Sequence, residues 1–232
     1  MDHMKDYRGL LLDFGGVVTT DFFASLAAYC ERLGLPRDRF RDLVTTDPVG
    51  RELYHQMERG ELSQPEFERR IAPLLGVEPD GLVRGLLADL RPDLLMTDAV
   101  AQARVAGIRV GVISNSWGTA PFDPYAGYRL DEQFDAVVVS SDVGIRKPDP
   151  AIYLLAADKL GVPPEACVFV DDIRSNLGPA REIGMAVVHH VDPVSTIQEL
   201  ERLFGLRLQR GDAGRQRRPR GQVPTGGRAA ER

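Results

Sequence analysis

The sequence RGLLLDFGGV at residues 8–17 carries the clearest fold signal in the chain. It is a short apolar run that closes on Asp13 and a glycine pair, which is typical of a buried strand in a parallel sheet. Comparable apolar runs recur at 108–113, 136–140, 167–170 and 185–188. Stretches of helix length lie at about 94–106, 150–160 and 174–183. This alternation predicts an α/β fold with a Rossmann-like, doubly wound parallel sheet.

The residues between the first two predicted strands break this alternation. Residues 20–92 contain no strand-like run, and Ser63–Glu66 is a capping box that begins an amphipathic helix. An all-helical segment inserted after the first strand indicates a cap over the sheet. We therefore predict three parts, which are a Rossmann-like core at 1–18 and 94–206, a helical cap domain at 19–93 and a disordered Arg-rich tail at 207–232.

Composition and charge argue against several classes of protein. The 232 residues contain no apolar run near the ~18 residues that cross a bilayer, so we expect no membrane partner. The net charge is −5 and most of the chain is acidic, which argues against nucleic acid as a ligand, although the tail is basic. Two lone cysteines and no visible secretory signal indicate a cytoplasmic protein. Composition leaves the choice between a monomer and a homodimer open.

Polar residues of particular types follow four of the five predicted strands. They are Asp13, Ser114, Lys147 and the pair Asp171 and Asp172. In a parallel α/β sheet the chemistry collects beyond the carboxyl ends of the strands, so we expect these groups to share one crevice. Three carboxylates in one place repel each other unless a cation lies among them, and hard oxygen ligands suit Mg²⁺. A lysine and a serine beside such a site suit a phosphoryl group.

With these residues in this order, the sequence resembles the haloacid dehalogenase-like hydrolases, and in particular their helical-cap subfamily. The motifs that carry the resemblance are Asp13-x-Gly15-Gly16-Val17, Ser114, Lys147-Pro148, and Asp171-Asp172 followed by Asn176. The resemblance covers roughly residues 8–200. It implies an enzyme, namely a Mg²⁺-dependent phosphatase that hydrolyses a small phosphate ester, with a sugar phosphate as the favoured substrate.

The resemblance implies a role for each acidic residue of the motifs. Asp13 is the expected nucleophile, which attacks phosphorus and forms an aspartyl-phosphate that water then hydrolyses. Mg²⁺ is expected to bind the Asp13 carboxylate, the Gly15 carbonyl and Asp172. Asp171 is expected to support the metal directly or through a water molecule.

The remaining motif residues are expected to hold the phosphoryl group and the loops around it. Ser114 and the backbone of Asn115 would hydrogen-bond a phosphoryl oxygen. Lys147 would hold the nucleophile and offset the charge of the transition state. Gly16 and Asn176 are expected to support the site, Asn176 by positioning the loop that carries the two aspartates.

Position 15 departs from the pattern of the family's phosphatases. These enzymes usually carry a second Asp two residues after the nucleophile as a general acid, and this chain has Gly15 there. General acid catalysis is typically worth about 10²–10⁴-fold, so its loss should matter most for poor leaving groups. We therefore expect a preference for acidic leaving groups, such as an anomeric sugar phosphate, or a proton taken from the substrate or the cap.

Two alternative functions stay open at this point. One is a catalytically weak or inactive member of the family that binds or senses a metabolite. The other is a metal-independent haloacid dehalogenase, which is disfavoured because such enzymes do not need the paired Asp171 and Asp172. Hydrolases that form a Schiff base with a cap lysine are excluded, because residues 19–93 contain no lysine.

One predicted cap helix offers candidate substrate contacts. Arg51 and His55 share a face of this helix with Glu58 or Arg59, at a spacing of three or four residues. That face points either at the substrate or at solvent. His55 is the candidate for a replacement proton donor, because its side chain titrates near neutral pH.

Overall fold

The computed structural model describes residues 6–209, and its centre is one parallel sheet. The strands are β1 (Gly9–Asp13), β2 (Arg109–Ser114), β3 (Ala136–Val139), β4 (Cys167–Asp171) and β5 (Ala186–His189). Their order across the sheet is β3-β2-β1-β4-β5, and every neighbouring pair is parallel. The predicted doubly wound α/β fold is therefore confirmed.

Helices fill the connections between the strands. Between β1 and β2 lie α1 (Phe22–Arg32), α2 (Arg39–Thr46), α3 (Pro48–Glu58), α4 (Gln64–Leu75), α5 (Leu82–Leu86) and α6 (Leu94–Val105). The later helices are α7 (Leu130–Gln133), α8 (Ser140–Val143), α9 (Pro150–Leu160), α10 (Arg174–Glu182) and α11 (Pro193–Phe204). No helix within residues 6–209 combines the length and the apolarity that crossing a bilayer requires.

Both faces of the sheet are covered, which explains why its strands read as continuous apolar runs. Leu10 and Leu12 of β1 pack with α6 and α11 on one face, and Leu11 packs with α9 and α10 on the other. Because the strands are parallel, their carboxyl ends lie along one edge. Asp13 at the end of β1 is thereby placed between the ends of β2 and β4.

Helices α1 to α5 bury a hydrophobic cluster of their own, which includes Phe40, Phe67 and Ile71. Helix α4 begins where the Ser63 hydroxyl accepts a hydrogen bond from the Glu66 amide, and it ends at Gly76 in the left-handed conformation. Residues 20–91 contain no strand, as the sequence predicts. The division into a core at 1–18 and 94–206 and a cap at 19–93 stays a prediction. The predicted tail lies, from residue 210 onward, outside the described residues.

Candidate active site

The turn after β1 is shaped by Gly16. This residue has a φ of +83°, in the left-handed region that favours glycine. A Cβ atom at position 16 would lie 2.7 Å from the Oδ2 atom of Asp172. Glycine therefore lets the turn that follows Asp13 lie directly against the Asp172 carboxylate, which fits the supporting role expected of this position.

Lys147 joins the ends of two strands through its ammonium group. Its Nζ atom lies 2.7 Å from Asp13 Oδ1 and 2.7 Å from Asp171 Oδ2, and its side chain is 1% exposed. Burial alone would lower the pKa of Lys147, but the two carboxylates outweigh it and raise this pKa. The lysine is therefore charged throughout the neutral pH range and holds Asp13 in place.

Asp171 uses both of its carboxylate oxygens within the protein. Oδ1 accepts hydrogen bonds from the Ile173 amide at 2.7 Å and from Asn176 Nδ2 at 3.1 Å. Oδ2 accepts from Lys147 and, at 3.0 Å, from Asn176. Asn176 is itself fixed, because its backbone carbonyl accepts a hydrogen bond from the Tyr153 hydroxyl at 2.7 Å. This geometry fits the positioning role expected of Asn176, and it makes Asp171 the best-satisfied of the three carboxylates.

Asp172 presents the opposite case. Its Oδ1 atom is buried and has no hydrogen-bond partner among residues 6–209. Burial raises the pKa of Asp172 to about 6, and the charge of Asp171 adds to the rise. Burial also raises the pKa of Asp13, although Lys147 partly opposes this. One ammonium group thus faces three clustered carboxylates, two of them on buried residues, which leaves an excess of negative charge.

These residues fit a magnesium ion. Carboxylate oxygens of Asp13, Asp171 and Asp172 lie within 4.8 Å of one another, and oxygen atoms are the ligands that Mg²⁺ prefers. The unpartnered Asp172 oxygen is a donor that a cation would satisfy. Asp13, Asp172 and the Gly15 carbonyl would hold the ion. Asp171 is close enough to support it, but hydrogen bonds already engage both of its oxygens.

We expect Mg²⁺ to stabilise the protein through Asp172. At 100 times the dissociation constant, binding adds about 2.7 kcal/mol, which corresponds to a rise in Tm of about 5–10 °C for a chain of this size. Asp172→Asn should abolish this rise while leaving the metal-free protein at least as stable, because it removes one repelling charge. Thermal unfolding with and without Mg²⁺ measures both effects. Asp158→Asn on the exposed side of α9 is the matched control, and an undiminished Mg²⁺ shift in Asp172→Asn would contradict the assignment.

The end of β2 supplies the groups expected to bind the phosphoryl oxygens. Ser114 is buried and lines one cavity together with Asp13 and Lys147. The side chain of Asn115 clamps the backbone of Lys147, since Oδ1 accepts the Lys147 amide at 2.8 Å and Nδ2 donates to its carbonyl at 3.1 Å. This clamp keeps the lysine loop against the end of β2.

Tyr125 is a site residue that sequence reasoning missed. Its hydroxyl donates to Ser114 Oγ at 2.8 Å, and its ring packs edge-to-face on Phe14. Burial raises the pKa of Tyr125 to about 12, so the phenol keeps its proton at neutral pH. Because Ser114 accepts this hydrogen bond, its own hydrogen is available for a phosphoryl oxygen. No motif marks position 125 in the sequence.

We expect Tyr125→Phe to lower kcat/KM by about tenfold, the value of one well-placed hydrogen bond. The substitution keeps the ring on Phe14 and removes the oxygen that orients Ser114. Steady-state kinetics on a phosphate ester measures the loss. Tyr128→Phe is the matched control, because Tyr128 packs on the same Phe14 ring. Equal kinetics for the two variants would show that the hydroxyl of Tyr125 does not act on Ser114.

The candidate cap residues Arg51 and His55 line the same cavity, which has a volume of about 370 Å³. Two more lining residues, the buried Glu58 and the partly buried Arg146, form an ion pair with 2.6 Å between Oε2 and Nε. The Glu58 carbonyl also accepts the Ser140 hydroxyl. These contacts fasten the end of α3 to the loop that carries Lys147. Sequence reasoning left open whether Glu58 or Arg59 shares the helix face of Arg51 and His55, and it gave no role to Arg146.

Comparison with known proteins decides the family. The family model for haloacid dehalogenase-like hydrolases matches residues 7–184. The chain is a haloacid dehalogenase-like hydrolase. The family membership inferred from the motifs is therefore confirmed.

Curated relatives of this hydrolase differ in how much of it they share. Bifunctional epoxide hydrolase 2 of Rattus norvegicus is 35% identical over 47% of the chain and 21% of its own length. Sesquiterpene phosphatase astK of Aspergillus oryzae is 27% identical over 86% of the chain and 97% of its own length. Glyceraldehyde 3-phosphate phosphatase of Methanopyrus kandleri is 31% identical over 42% of the chain and 41% of its own length. The chain spans between a tenth and a quarter of the length of the first curated relatives that it matches.

Solved structures support the fold. A HAD-like family hydrolase from Porphyromonas gingivalis aligns with a TM-score of 0.65 at 23% identity, covering 84% of this chain and 98% of that one. A HAD family enzyme from Bacteroides thetaiotaomicron, in complex with magnesium and inorganic phosphate, aligns with a TM-score of 0.60 at 21% identity, covering 79% and 93%. At these identities the likeness concerns the fold alone.

Proposed function

We propose that this hydrolase is a Mg²⁺-dependent phosphatase that cleaves a small phosphate monoester through Asp13. The observation that carries the proposal is the Lys147 ammonium group, which bridges Asp13 and Asp171 beside the unpartnered oxygen of Asp172. A dehalogenase would not need the excess carboxylate that this arrangement provides. Two relatives that carry the name phosphatase support the same reaction class.

The contacts of Asp13 suit a nucleophile. Its Oδ1 atom accepts hydrogen bonds from Lys147 and, at 2.6 Å, from the Phe14 amide. These contacts fix the carboxylate and leave the other oxygen to attack phosphorus, so that the ester oxygen departs and an aspartyl-phosphate forms. The phosphoryl oxygens would be held during transfer by Lys147, Ser114 and the backbone amide of Asn115. Bound Mg²⁺ would supply further positive charge beside them, and water would then release phosphate from Asp13.

The leaving oxygen finds no acid at position 15. We retain the expectation that acidic leaving groups are favoured, and His55 stays a candidate proton donor. An anomeric sugar phosphate stays the alternative substrate class, which a panel of phosphate esters decides. Burial, followed by the nearby Arg146, lowers the pKa of His55, which reduces its protonated fraction at neutral pH. The relatives named as phosphatases carry the names of chemically different compounds, so they support the reaction class and not one alcohol. A cytoplasmic location and a monomer or homodimer stay predictions.

Hydrolysis of p-nitrophenyl phosphate tests the proposal, because its good leaving group needs no general acid. We expect turnover that depends on Mg²⁺ and is lost with a chelator. Beryllium fluoride with Mg²⁺ should bind in place of the phosphoryl group and raise Tm. Tight beryllium fluoride binding without any turnover would favour the alternative of an inactive, metabolite-binding member. Turnover that is indifferent to chelation would contradict the role of the metal.

A further inference from the structure

The cavity that contains Asp13 has walls of two kinds. The groups at the strand ends are polar and charged. The side chains that the helical segment 19–93 adds to the lining are mainly aromatic or aliphatic, namely Phe22, Phe23, Val44, Tyr54, Leu87 and Leu90. A substrate whose phosphoryl group lies on the strand ends therefore meets a hydrocarbon wall with its leaving group. Such walls stabilise apolar ligands and disfavour hydroxyl groups that lose their water.

Trp117, from the segment after β2, extends this wall and holds its aromatic part beside the phosphoryl-binding residues. Trp117 follows Ser114 by three positions, lines the cavity and is 4% exposed. Its ring packs edge-to-face on Phe22 at 5.7 Å and on Tyr54 at 5.6 Å. Phe40 and Phe67 pack against it as well, at 5.9 and 6.0 Å. These ring contacts hold the wall in place, and it is continuous with the phosphoryl-binding end of β2.

The polar groups of the helical segment offer few partners to a polyhydroxylated leaving group. The Glu58 carboxylate is engaged by Arg146, and the Thr45 hydroxyl donates to the Arg41 carbonyl. Arg51 and His55 remain as candidate partners on this side of the cavity. A sugar has several hydroxyl groups to satisfy at once, and each one buried against the hydrocarbon wall without a partner weakens binding.

We infer that the alcohol released by this enzyme is apolar, with a hydrocarbon chain or ring attached directly to the ester oxygen. The inference rests on the proposed phosphatase function and narrows its substrate class. The reaction consumes one phosphate monoester and one water, and it yields the free alcohol and inorganic phosphate. As Asp13 takes the phosphoryl group, the P–O bond to the alcohol breaks with its electron pair on the departing oxygen, which takes up a proton. Water then cleaves the aspartyl-phosphate and releases a proton, so that the two steps together consume none.

A series of 4-alkylphenyl phosphates, from phenyl to 4-hexylphenyl, tests the inference. The leaving-group acidity hardly changes along the series, so the trend in kcat/KM reports contact with the wall. We expect kcat/KM to rise about fourfold per added methylene until the chain fills the cavity. Glucose 1-phosphate and glucose 6-phosphate should be hydrolysed less efficiently than the longest ester. A flat or falling series, or a sugar phosphate that exceeds the longest ester, overturns the inference.

The same panel separates this inference from the proposed function. If p-nitrophenyl phosphate is hydrolysed but kcat/KM is constant along the alkyl series, the phosphatase function holds and the apolar substrate class is wrong. If no ester is hydrolysed in the presence of Mg²⁺, both the phosphatase function and the apolar substrate class are wrong.

Leu90→Gln tests the role of the wall, and Leu154→Gln is its control. Leu90 is half-buried and lines the cavity, whereas Leu154 on α9 is 47% exposed and does not line it. We expect Leu90→Gln to lower the ratio of kcat/KM for the hexyl ester to that for the phenyl ester by about tenfold. Leu154→Gln should leave this ratio unchanged. Both esters are measured on one preparation, so any misfolded fraction cancels from the ratio. An unchanged ratio in Leu90→Gln contradicts the assignment of this wall to the leaving group.

Discussion

Asp13→Asn should abolish the hydrolysis of p-nitrophenyl phosphate, with a loss on the order of 10⁴-fold or more. The amide has nearly the same size and shape as the carboxylate, but it cannot attack phosphorus as an anion. The substitution also removes one of three clustered carboxylate charges, and so the metal-free variant should unfold at a temperature no lower than that of the wild-type protein. Phosphate release under saturating Mg²⁺ and a thermal unfolding curve measure the two effects.

The combination of lost activity and retained stability is what distinguishes a nucleophile from a structural residue. A structural Asp13 would lose both together. Asp158→Asn, the same exchange on an exposed turn of α9, should retain both properties. Activity in Asp13→Asn within a factor of ten of the wild type would mean that another group attacks phosphorus, and the proposed mechanism would fail.

The strand ends were accessible from the sequence because local patterns determine them. Each buried strand reads as an apolar run, and a parallel sheet brings the carboxyl ends of its strands to one edge. It follows that Asp13, Ser114 and Asp171 lie near one another once the strands are recognised. The sequence singles out Lys147 because this residue follows a predicted strand and belongs to a motif. The structure places its ammonium group between two carboxylates.

The residues that were missed depend on packing over long separations in the chain. Tyr125 reaches Ser114 through the path of the irregular segment that follows β2, and no periodic pattern marks that segment. Arg146 meets Glu58 only because the end of α3 packs on the loop before Lys147, 88 residues later in the chain. The apolar wall was equally hidden, since an apolar residue on a helix looks the same in the sequence whether it faces a core or a cavity.

Gly15→Asp should raise the hydrolysis of a simple alkyl phosphate by about 10²-fold, because it restores the general acid that the family's phosphatases usually carry. The backbone at position 15 permits the change, with φ −74° and ψ 119°. A Cβ atom there would meet the Phe22 ring at 3.5 Å, which is an ordinary contact. Turnover of p-nitrophenyl phosphate should change little, because its leaving group departs without a proton.

The activity on the alkyl phosphate relative to that on p-nitrophenyl phosphate measures the effect of the added acid, and Gly15→Asn is the control variant. Asparagine adds the same volume beside Phe22 but supplies no carboxylic proton. If the missing acid limits the enzyme, only the aspartate variant improves the alkyl ester relative to the nitrophenyl ester. Equal gains in both variants would mean that the added side chain acts by filling space. No gain in the aspartate variant would mean that the protein already protonates the leaving oxygen, and the ionisable side chain nearest that oxygen in the cavity, for which His55 is the candidate, would then be the residue to replace next.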